Sequence, residues 1–254
     1  MLETGTANGG NGSTGIIHGD TYRREETAAN IVDSTSPEGE RVRQLYGVKY
    51  WQPGEVDVYE SPRTHLYHFK TFIGDHEVEV ERGDSLWFID ENNETARVVS
   101  GPVKVRSKFF GNLMRGYTPA TRSIELEGCT TLPYVNGCST KQLIPPPRAG
   151  DPTLQYLNIP AYSAEQAHHI HSTVRTVYVW KGRGISIVGM EGAEVHEELK
   201  PGMVCVLEPM CPHHFETPWD TSITVIPFHV FSSSGSAEFN HPMFNGTHLM
   251  NQGG

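Results

Sequence analysis

Short apolar runs separated by glycine and proline are the feature of this sequence that most restricts its fold. Residues 56–59, 86–89 and 185–188 are apolar or alternating apolar and polar runs of strand length, and turn pairs such as Pro53-Gly54 and Gly83-Asp84 separate runs of this kind. Such runs are typical of buried or half-buried strands, and no helical period extends far along the chain. The pattern predicts an all-β fold.

Composition and charge exclude several classes of partner. The 254 residues carry 20 basic and 30 acidic side chains, a formal net charge of −10, without a basic block that could follow a phosphate backbone. No apolar run approaches the ~20 residues that a membrane helix needs. The first residues lack the basic and apolar regions of a signal peptide. We therefore expect a cytoplasmic protein that binds neither nucleic acid nor membranes.

Changes in composition along the chain predict four segments. Residues 1–40, rich in Gly, Thr, Asn, Ser and Glu, are expected to form a flexible arm. Residues 41–125 and 126–235 are two β-rich halves, and residues 236–254 are a tail. An arm with little apolar content, together with open sheet edges, favours pairing with a second copy. A homodimer or a larger homo-oligomer is therefore expected.

Histidines are concentrated in the second half of the chain. Six of the 13 fall in three short stretches: His168, His169, His171, His213, His214 and His229. Residues two apart on a strand share a face, so His169 and His171 should point the same way and His168 away. Two adjacent imidazoles are the minimal chelate for a borderline metal, and His213 could complete the set from a neighbouring strand. The alternative is a pair of surface histidines that face solvent.

The sequence around these histidines resembles the two metal-binding motifs of the cupin superfamily. After His171, three residues lead to Arg175, and six more separate Arg175 from Gly182. Further along, His213 follows Gly202 by eleven positions, as in the second cupin motif. Cupins are double-stranded β-helices, also called jelly rolls. The resemblance therefore implies a cupin barrel within residues 126–235, with His169, His171 and His213 as metal ligands.

The first half of the chain lacks these motifs. It holds histidines but none at the His-x-His spacing. Residues 82–88 and 201–207 both place a turn before an apolar strand, which leaves two interpretations open. Either residues 41–125 are a second, degenerate cupin-like barrel, or two hairpins are alike by chance.

Arg175 departs from the cupin pattern, because it occupies the position of the usual carboxylate ligand. A guanidinium stays protonated and has no lone pair for a metal. The implied centre is a three-histidine site for one divalent transition metal, Fe(II) first, with Zn, Ni or Mn as alternatives. Loss of the carboxylate leaves the centre more positive and favours an anionic substrate.

Three assignments stay open at this point. Spacing from Gly202 selects His213 as the third ligand, whereas spacing from Pro209 selects His214. Arg175 is either a clamp for a substrate carboxylate or the partner of Glu208 or Glu216 in a structural ion pair. His229 is either a catalytic-site residue that hydrogen-bonds a ligand or the substrate, or a core histidine.

Three-histidine cupins of the kind this site resembles include iron dioxygenases that act on diketones, aromatic diols or thiols. The expected function is a mononuclear non-haem Fe(II) dioxygenase, an oxidoreductase that uses O₂ and a small carboxylate-bearing substrate, with Arg175 and His229 as catalytic residues. A metal-dependent lyase, isomerase or hydrolase is the alternative enzyme. A non-catalytic cupin that binds a small molecule is the alternative from another class.

Overall fold

A computed structural model describes residues 31–63, 67–128, 130–146, 151–166, 168–190 and 192–231 of this protein. The first thirty residues of the predicted arm and the whole predicted tail, 236–254, lie outside the described residues. One helix, α1 (Pro37–Leu45), and a 3-10 turn at Val135–Gly137 accompany the strands. None of the helices in the described part of the chain is long and apolar enough to cross a membrane.

The described residues are predominantly β, as the sequence predicts. The strands are β1 (Ile31–Asp33), β2 (Val48–Trp51), β3 (Asp57–Glu60), β4 (Phe69–Ile73), β5 (His76–Val80), β6 (Ser85–Ile89), β7 (Thr95–Ser100), β8 (Val103–Ser107), β9 (Phe110–Met114), β10 (Arg122–Glu125), β11 (Leu132–Pro133), β12 (Ser139–Ile144), β13 (Thr153–Ile159), β14 (Thr173–Gly182), β15 (Gly184–Val188), β16 (Glu194–Leu199), β17 (Val204–Leu207), β18 (His213–Glu216) and β19 (Ile223–Phe231).

The second half of the chain forms a jelly-roll barrel. One sheet has the order β13-β19-β14-β17, and the other has β18-β15-β16, with antiparallel pairing throughout. Between β13 and β14, Ala164 and His169 form isolated antiparallel bridges with Glu216 and His213 of β18. The chain at these bridges takes the position beside β18 that a strand occupies in a complete jelly roll. In strand positions numbered along the barrel, the two sheets are 1-8-3-6 and 2-7-4-5. This is the connectivity of a double-stranded β-helix, and the predicted cupin fold is confirmed.

The first half repeats most of that connectivity. Its larger sheet contains the order β4-β9-β6-β7, and β5 pairs with β8 in a separate ladder. These strands correspond to positions 1-8-3-6 and 2-7 of the jelly roll. The hairpin of positions 4 and 5 is replaced by the turn between β6 and β7. The first half is therefore a cupin-like barrel that has lost one hairpin.

The similarity between residues 82–88 and 201–207, which suggested a duplication, does not align equivalent strands of the two barrels. It aligns β6 with β17, whereas the connectivity pairs β6 with β14 and β7 with β17. Both strands follow a turn with a glycine in the left-handed region, Gly83 at φ 96° and Gly202 at φ 89°. Such a conformation favours glycine. The similarity between the two stretches thus reflects the same type of turn before a strand.

The predicted boundary at residue 40 does not coincide with a boundary of the fold. β1 pairs parallel with β16, and β2 pairs with β17, so residues 31–51 extend both sheets of the second barrel. Between them, α1 begins at an N-cap, where Ser36 Oγ accepts a hydrogen bond from the Gly39 amide at 3.0 Å. The end of the predicted arm and the start of the predicted first half therefore belong to the second barrel.

The two barrels pack through their larger sheets. Trp87 and Phe110 of the first barrel meet Phe228 and Tyr178 of the second in one apolar core, with ring centroids 5.4 Å apart for Trp87–Phe228 and 5.9 Å for Phe110–Tyr178. Tyr178 and Trp180 also hydrogen-bond to Asn93. These two aromatic residues therefore pack between the sheets, and the other face of β14 is left for the site.

The interior of the first barrel is filled by apolar side chains. Val78 and Val80 of β5 occupy the strand position that corresponds to the histidine segment 163–171, and they pack with Leu86, Phe88 and Leu113. Branched aliphatic side chains offer no metal ligand. At this strand position the first barrel therefore has no counterpart of His169 or His171.

The shared core predicts that both halves depend on it for stability. Phe110→Ala removes a fully buried ring from the contact between the sheets, and it should lower the free energy of unfolding by about 3–5 kcal/mol. Urea denaturation followed by far-UV circular dichroism and tryptophan fluorescence measures the loss. Trp219→Ala is the control, because Trp219 is 79% exposed, and it should change stability by no more than about 0.5 kcal/mol. A loss at Phe110 no larger than that of the control would contradict a shared core.

Candidate metal centre

Backbone pairing with β18 positions the histidine segment. Glu165 N donates to Phe215 O at 3.0 Å, and Thr217 N donates to Ser163 O at 2.9 Å. Further along, His169 and His213 exchange both backbone hydrogen bonds, at 3.1 and 2.9 Å. Directly opposed residues of an antiparallel pair carry their side chains on the same face. The pairing thus sets His169 beside His213 inside the barrel.

Three imidazoles converge at this point. One ligand nitrogen from each of His169, His171 and His213 lies within 4.8 Å of the other two. Their ring centroids are 4.5 Å apart for His169–His171, 4.7 Å for His169–His213 and 5.4 Å for His171–His213. The predicted set is therefore brought together, and this group could hold a metal ion.

The protonation of these rings suits a metal. His213 Nδ1 donates to the carbonyl oxygen of Cys211 at 2.8 Å, which leaves the lone pair of the ring on Nε2. The Nε2 atoms of His171 and His213 are buried without a hydrogen-bond partner. Burial, assisted by the charge of Arg175, lowers the pKa of His171 to about 3 and lowers the pKa of His213 well below its usual value. Both rings are thus uncharged, and each can donate the lone pair of a ring nitrogen to a metal ion.

His168 and His214 face away from this centre. His168 Nδ1 lies 2.8 Å from His214 Nδ1, and His214 Nε2 lies 2.9 Å from a carboxylate oxygen of Glu216. His168 Nε2 also lies 2.5 Å from the carbonyl oxygen of Gly189. This chain of contacts lies on the outer face of β18. The alternative third ligand, His214, is therefore held elsewhere, and His213 is the histidine that joins the cluster.

Arg175 lies on the inner face of β14. It pairs in register with Leu207 of β17 on one side and with His229 of β19 on the other. The inner face also carries Val177 and Val179, which belong to the core of the second barrel. Arg175 therefore points into the barrel from the strand position at which the cupin motif has its carboxylate, as the resemblance implies.

A cavity of about 360 Å³ opens in the second barrel, and Arg175 is part of its wall. Its ionisable lining residues are Tyr134, Lys141, Glu165, Arg175 and His229. The three clustered histidines do not line this cavity themselves, but the positive charge of Arg175 acts on His171 and His213. Arg175 therefore connects the cavity with the histidine cluster.

Arg175 forms no structural ion pair of the kind that the alternative required. Glu208 accepts a hydrogen bond from the Tyr59 hydroxyl, and Glu216 contacts His214. Arg175 Nε is buried without a hydrogen-bond partner, and within the described ranges no salt bridge reaches its guanidinium. Burial lowers the pKa of Arg175, while the nearby Glu165 raises it. A buried cation in this condition is stabilised by any anion that enters the cavity.

The sequence analysis missed Glu165 and Tyr134. Glu165 is 4% exposed, and burial raises its pKa, whereas Arg175 lowers it. Tyr134 comes from the loop before β12 and also lines the cavity. Neither residue belongs to a spaced motif. The only available signal was the position of Glu165 within the irregular segment that carries His169.

Cys211 is not part of the cavity wall. Its side chain is buried in the core of the second barrel, and burial raises the pKa of its thiol to about 12. A thiol with such a pKa is a poor metal ligand because the thiolate is the binding form. The carbonyl of Cys211, which orients His213, is its contribution to the centre.

Comparisons with known proteins find similar folds at low sequence identity. No protein-family model matches the sequence, and no curated protein matches it. The polyketide cyclase RemF from Streptomyces resistomycificus is 20% identical, with a TM-score of 0.32; the match covers 36% of this chain and only 63% of that protein. A cupin 2 conserved barrel domain protein from Leptotrichia buccalis is 12% identical over 71% of this chain and 91% of its own, with a TM-score of 0.38. Protein Ylba from E. coli is 10% identical over 74% and 93%, with a TM-score of 0.49.

The geometry predicts which histidine variants lose metal. His169→Ala, His171→Ala and His213→Ala each remove one of the converging nitrogens, and each should abolish binding of one equivalent of Fe(II) or Zn(II) with the barrel still folded. His214→Ala is the matched control, since the neighbouring ring faces away, and it should retain the metal. Equilibrium dialysis followed by elemental analysis, with circular dichroism as the folding check, makes the measurement. Full occupancy in His213→Ala would contradict the assignment.

Proposed function

We propose that this chain is a metal-dependent enzyme that acts on a small carboxylate-bearing substrate, with Fe(II) at the three histidines and O₂ as co-substrate. The observation that carries the proposal is Arg175, a partly buried guanidinium that forms no salt bridge with any described residue, lines a cavity of about 360 Å³ and acts by its charge on His171 of the histidine cluster. A cavity of this volume suits a small molecule. The reaction is that of a mononuclear non-haem iron dioxygenase.

The residues present fit the metal. His169, His171 and His213 would hold it, and the hydrogen bond from His213 Nδ1 to Cys211 O fixes that ring in the orientation a ligand needs. Three neutral imidazoles suit iron, zinc and nickel. When bound, Fe(II) would supply coordination positions for an anionic substrate and for dioxygen. The remaining steps belong to the protein: it orients the substrate and shields it from water.

Arg175 orients the substrate in this proposal. Its planar guanidinium can make two parallel hydrogen bonds to one carboxylate, which fixes direction as well as distance. His229 pairs in register with Arg175 and is half-buried, and desolvation together with the charge of Arg175 lowers its pKa well below the usual value. A neutral His229 donates one hydrogen bond to the bound acid without adding a second charge. The two residues together form the substrate-binding wall.

A metal-dependent lyase, isomerase or hydrolase is the second candidate. One specific observation favours it: a buried carboxyl group, Glu165, lines the same cavity with Oε1 free of any hydrogen-bond partner. Such reactions move protons, and a carboxyl group of raised pKa is suited to that task. The two candidates differ in their need for oxygen.

Oxygen consumption tests the proposed reaction. Iron-loaded protein is given a panel of small acids that comprises a diketo acid, 3,4-dihydroxybenzoate and 3-mercaptopropionate, and dissolved O₂ and product are followed together. Wild-type protein should consume O₂ with at least one of them, and His171→Ala should consume none. Turnover of a panel member without O₂ uptake would favour the second candidate. Tight metal binding with no turnover of any kind would contradict the enzymatic proposal.

The position of Arg175 predicts that substrate binding depends on a carboxylate group of the substrate. Arg175→Gln removes the charged fork and should raise the Michaelis constant for an acidic substrate by roughly 30- to 150-fold, from the ~2–3 kcal/mol of a charge-assisted contact. Metal content should change little, because the side chain does not coordinate. Arg175→Lys should recover only part of the loss, since an ammonium cannot present two parallel donors. Loss of metal or fold with unchanged substrate affinity in Arg175→Gln would make Arg175 structural.

A further inference from the structure

Glu165 is a buried acid beside the cavity with an unsatisfied oxygen. The residue lines the cavity and is 4% exposed, and among the described residues Oε1 has no hydrogen-bond partner. A buried carboxyl group with an unsatisfied oxygen destabilises the fold unless a ligand satisfies that oxygen. The backbone of Glu165 is fixed by the bond from its amide to Phe215 O at 3.0 Å. The group is thus held in place beside the space that a substrate would fill.

Charged and ionisable groups surround Glu165 from several elements. Those with which it interacts are Arg175 on β14, His214 on β18, Cys205 on β17, and Tyr134 and Cys138 in the loop before β12. Burial raises the pKa of Glu165, and the positive charge of Arg175 limits the rise. Above its raised pKa the group is an ionised carboxylate and a better base than an exposed glutamate.

Other groups around the cavity are poorly suited to accept a proton. Arg175 and Lys141 are cations, and the pKa of Tyr134 is raised by burial, so its hydroxyl holds its proton. His229 would gain a second positive charge next to Arg175 on accepting a proton. Of the described residues that line the cavity, Glu165 is the one that carries a carboxyl group.

We propose that Glu165 is the proton acceptor of this site, and that the substrate is an acid carrying an ionisable hydroxyl or enol group besides its carboxylate. This inference rests on the proposed function. In the step, the O–H bond of the substrate breaks, its electron pair stays on the substrate oxygen, and a new O–H bond forms on Glu165. The resulting oxyanion lies beside the histidine cluster, while the carboxylate lies against Arg175.

Arg175 couples the binding of the substrate carboxylate to the proton transfer. Before the substrate enters, the guanidinium acts on Glu165 and stabilises its ionised form. When a substrate carboxylate pairs with Arg175, the guanidinium stabilises that carboxylate as well and stabilises ionised Glu165 less. Glu165 then binds a proton more readily. Entry of the acid therefore drives the transfer of its second proton. The same proton acceptor would serve a dioxygenase or the second candidate.

Proton counting during binding tests the inference without any turnover. Zinc-loaded protein is titrated with 3,4-dihydroxybenzoate at pH 8 by calorimetry in two buffers of different ionisation enthalpy, which gives the number of protons released for each ligand bound. Binding of an ionisable ligand near a metal releases protons. Wild-type protein should release about one proton fewer than Glu165→Gln, because Glu165 keeps that proton within the site.

Two further variants complete the design. Glu216→Gln is the matched control, a second buried carboxyl group that contacts His214 instead of lining the cavity, and it should give the wild-type count. Glu165→Asp keeps a carboxylate and should also give the wild-type count; if Glu165→Gln fails to fold, Glu165→Ala replaces it with the same expected result.

Each outcome bears on a different claim. Equal proton release by wild-type protein and Glu165→Gln, with binding intact in both, would overturn the role of Glu165 and leave the proposed function standing. Failure of zinc-loaded wild-type protein to bind the probe would contradict the proposed function and overturn the inference that rests on it.

Discussion

The reciprocal backbone hydrogen bonds between His169 and His213 fix the geometry on which the rest of the site depends. They join an irregular segment to β18, so that two parts of the chain distant in sequence present imidazoles on one face. His171 follows two residues after His169 and shares that face. Because the interface with the first barrel holds the opposite face of the larger sheet, the interior of the second barrel is free to form a cavity.

Arg175 has the largest effect on the electrostatics of that interior, because its charge acts on His171, His213, His229 and Glu165. A three-histidine centre with a divalent ion and a neighbouring guanidinium concentrates positive charge, which would oppose folding without an anion nearby. Glu165 partly balances it from the cavity wall. A substrate anion would neutralise more of this positive charge, and for this reason the metal and Arg175 together favour an acidic substrate.

Much of the fold and of the metal cluster could be predicted from the sequence. The short strands indicated the all-β class, the His-x-His spacing placed His169 and His171 together, and the resemblance to the cupin motif put Arg175 at the position of a metal ligand. Glu165 and Tyr134 could not be found, because their approach to the cavity depends on loop paths that no periodicity encodes. The strand correspondence between the barrels was likewise hidden, since the loss of a hairpin shifts equivalent strands along the sequence.

X-ray absorption at the metal edge tests the centre most directly. In zinc-loaded protein, three nitrogen scatterers with imidazole multiple scattering are expected at roughly 2.0–2.1 Å, without sulfur. The remaining ligands should be oxygen from water or from an added acid. A sulfur scatterer at roughly 2.3 Å, the zinc–cysteine distance, or fewer than three imidazoles would contradict a centre formed by His169, His171 and His213.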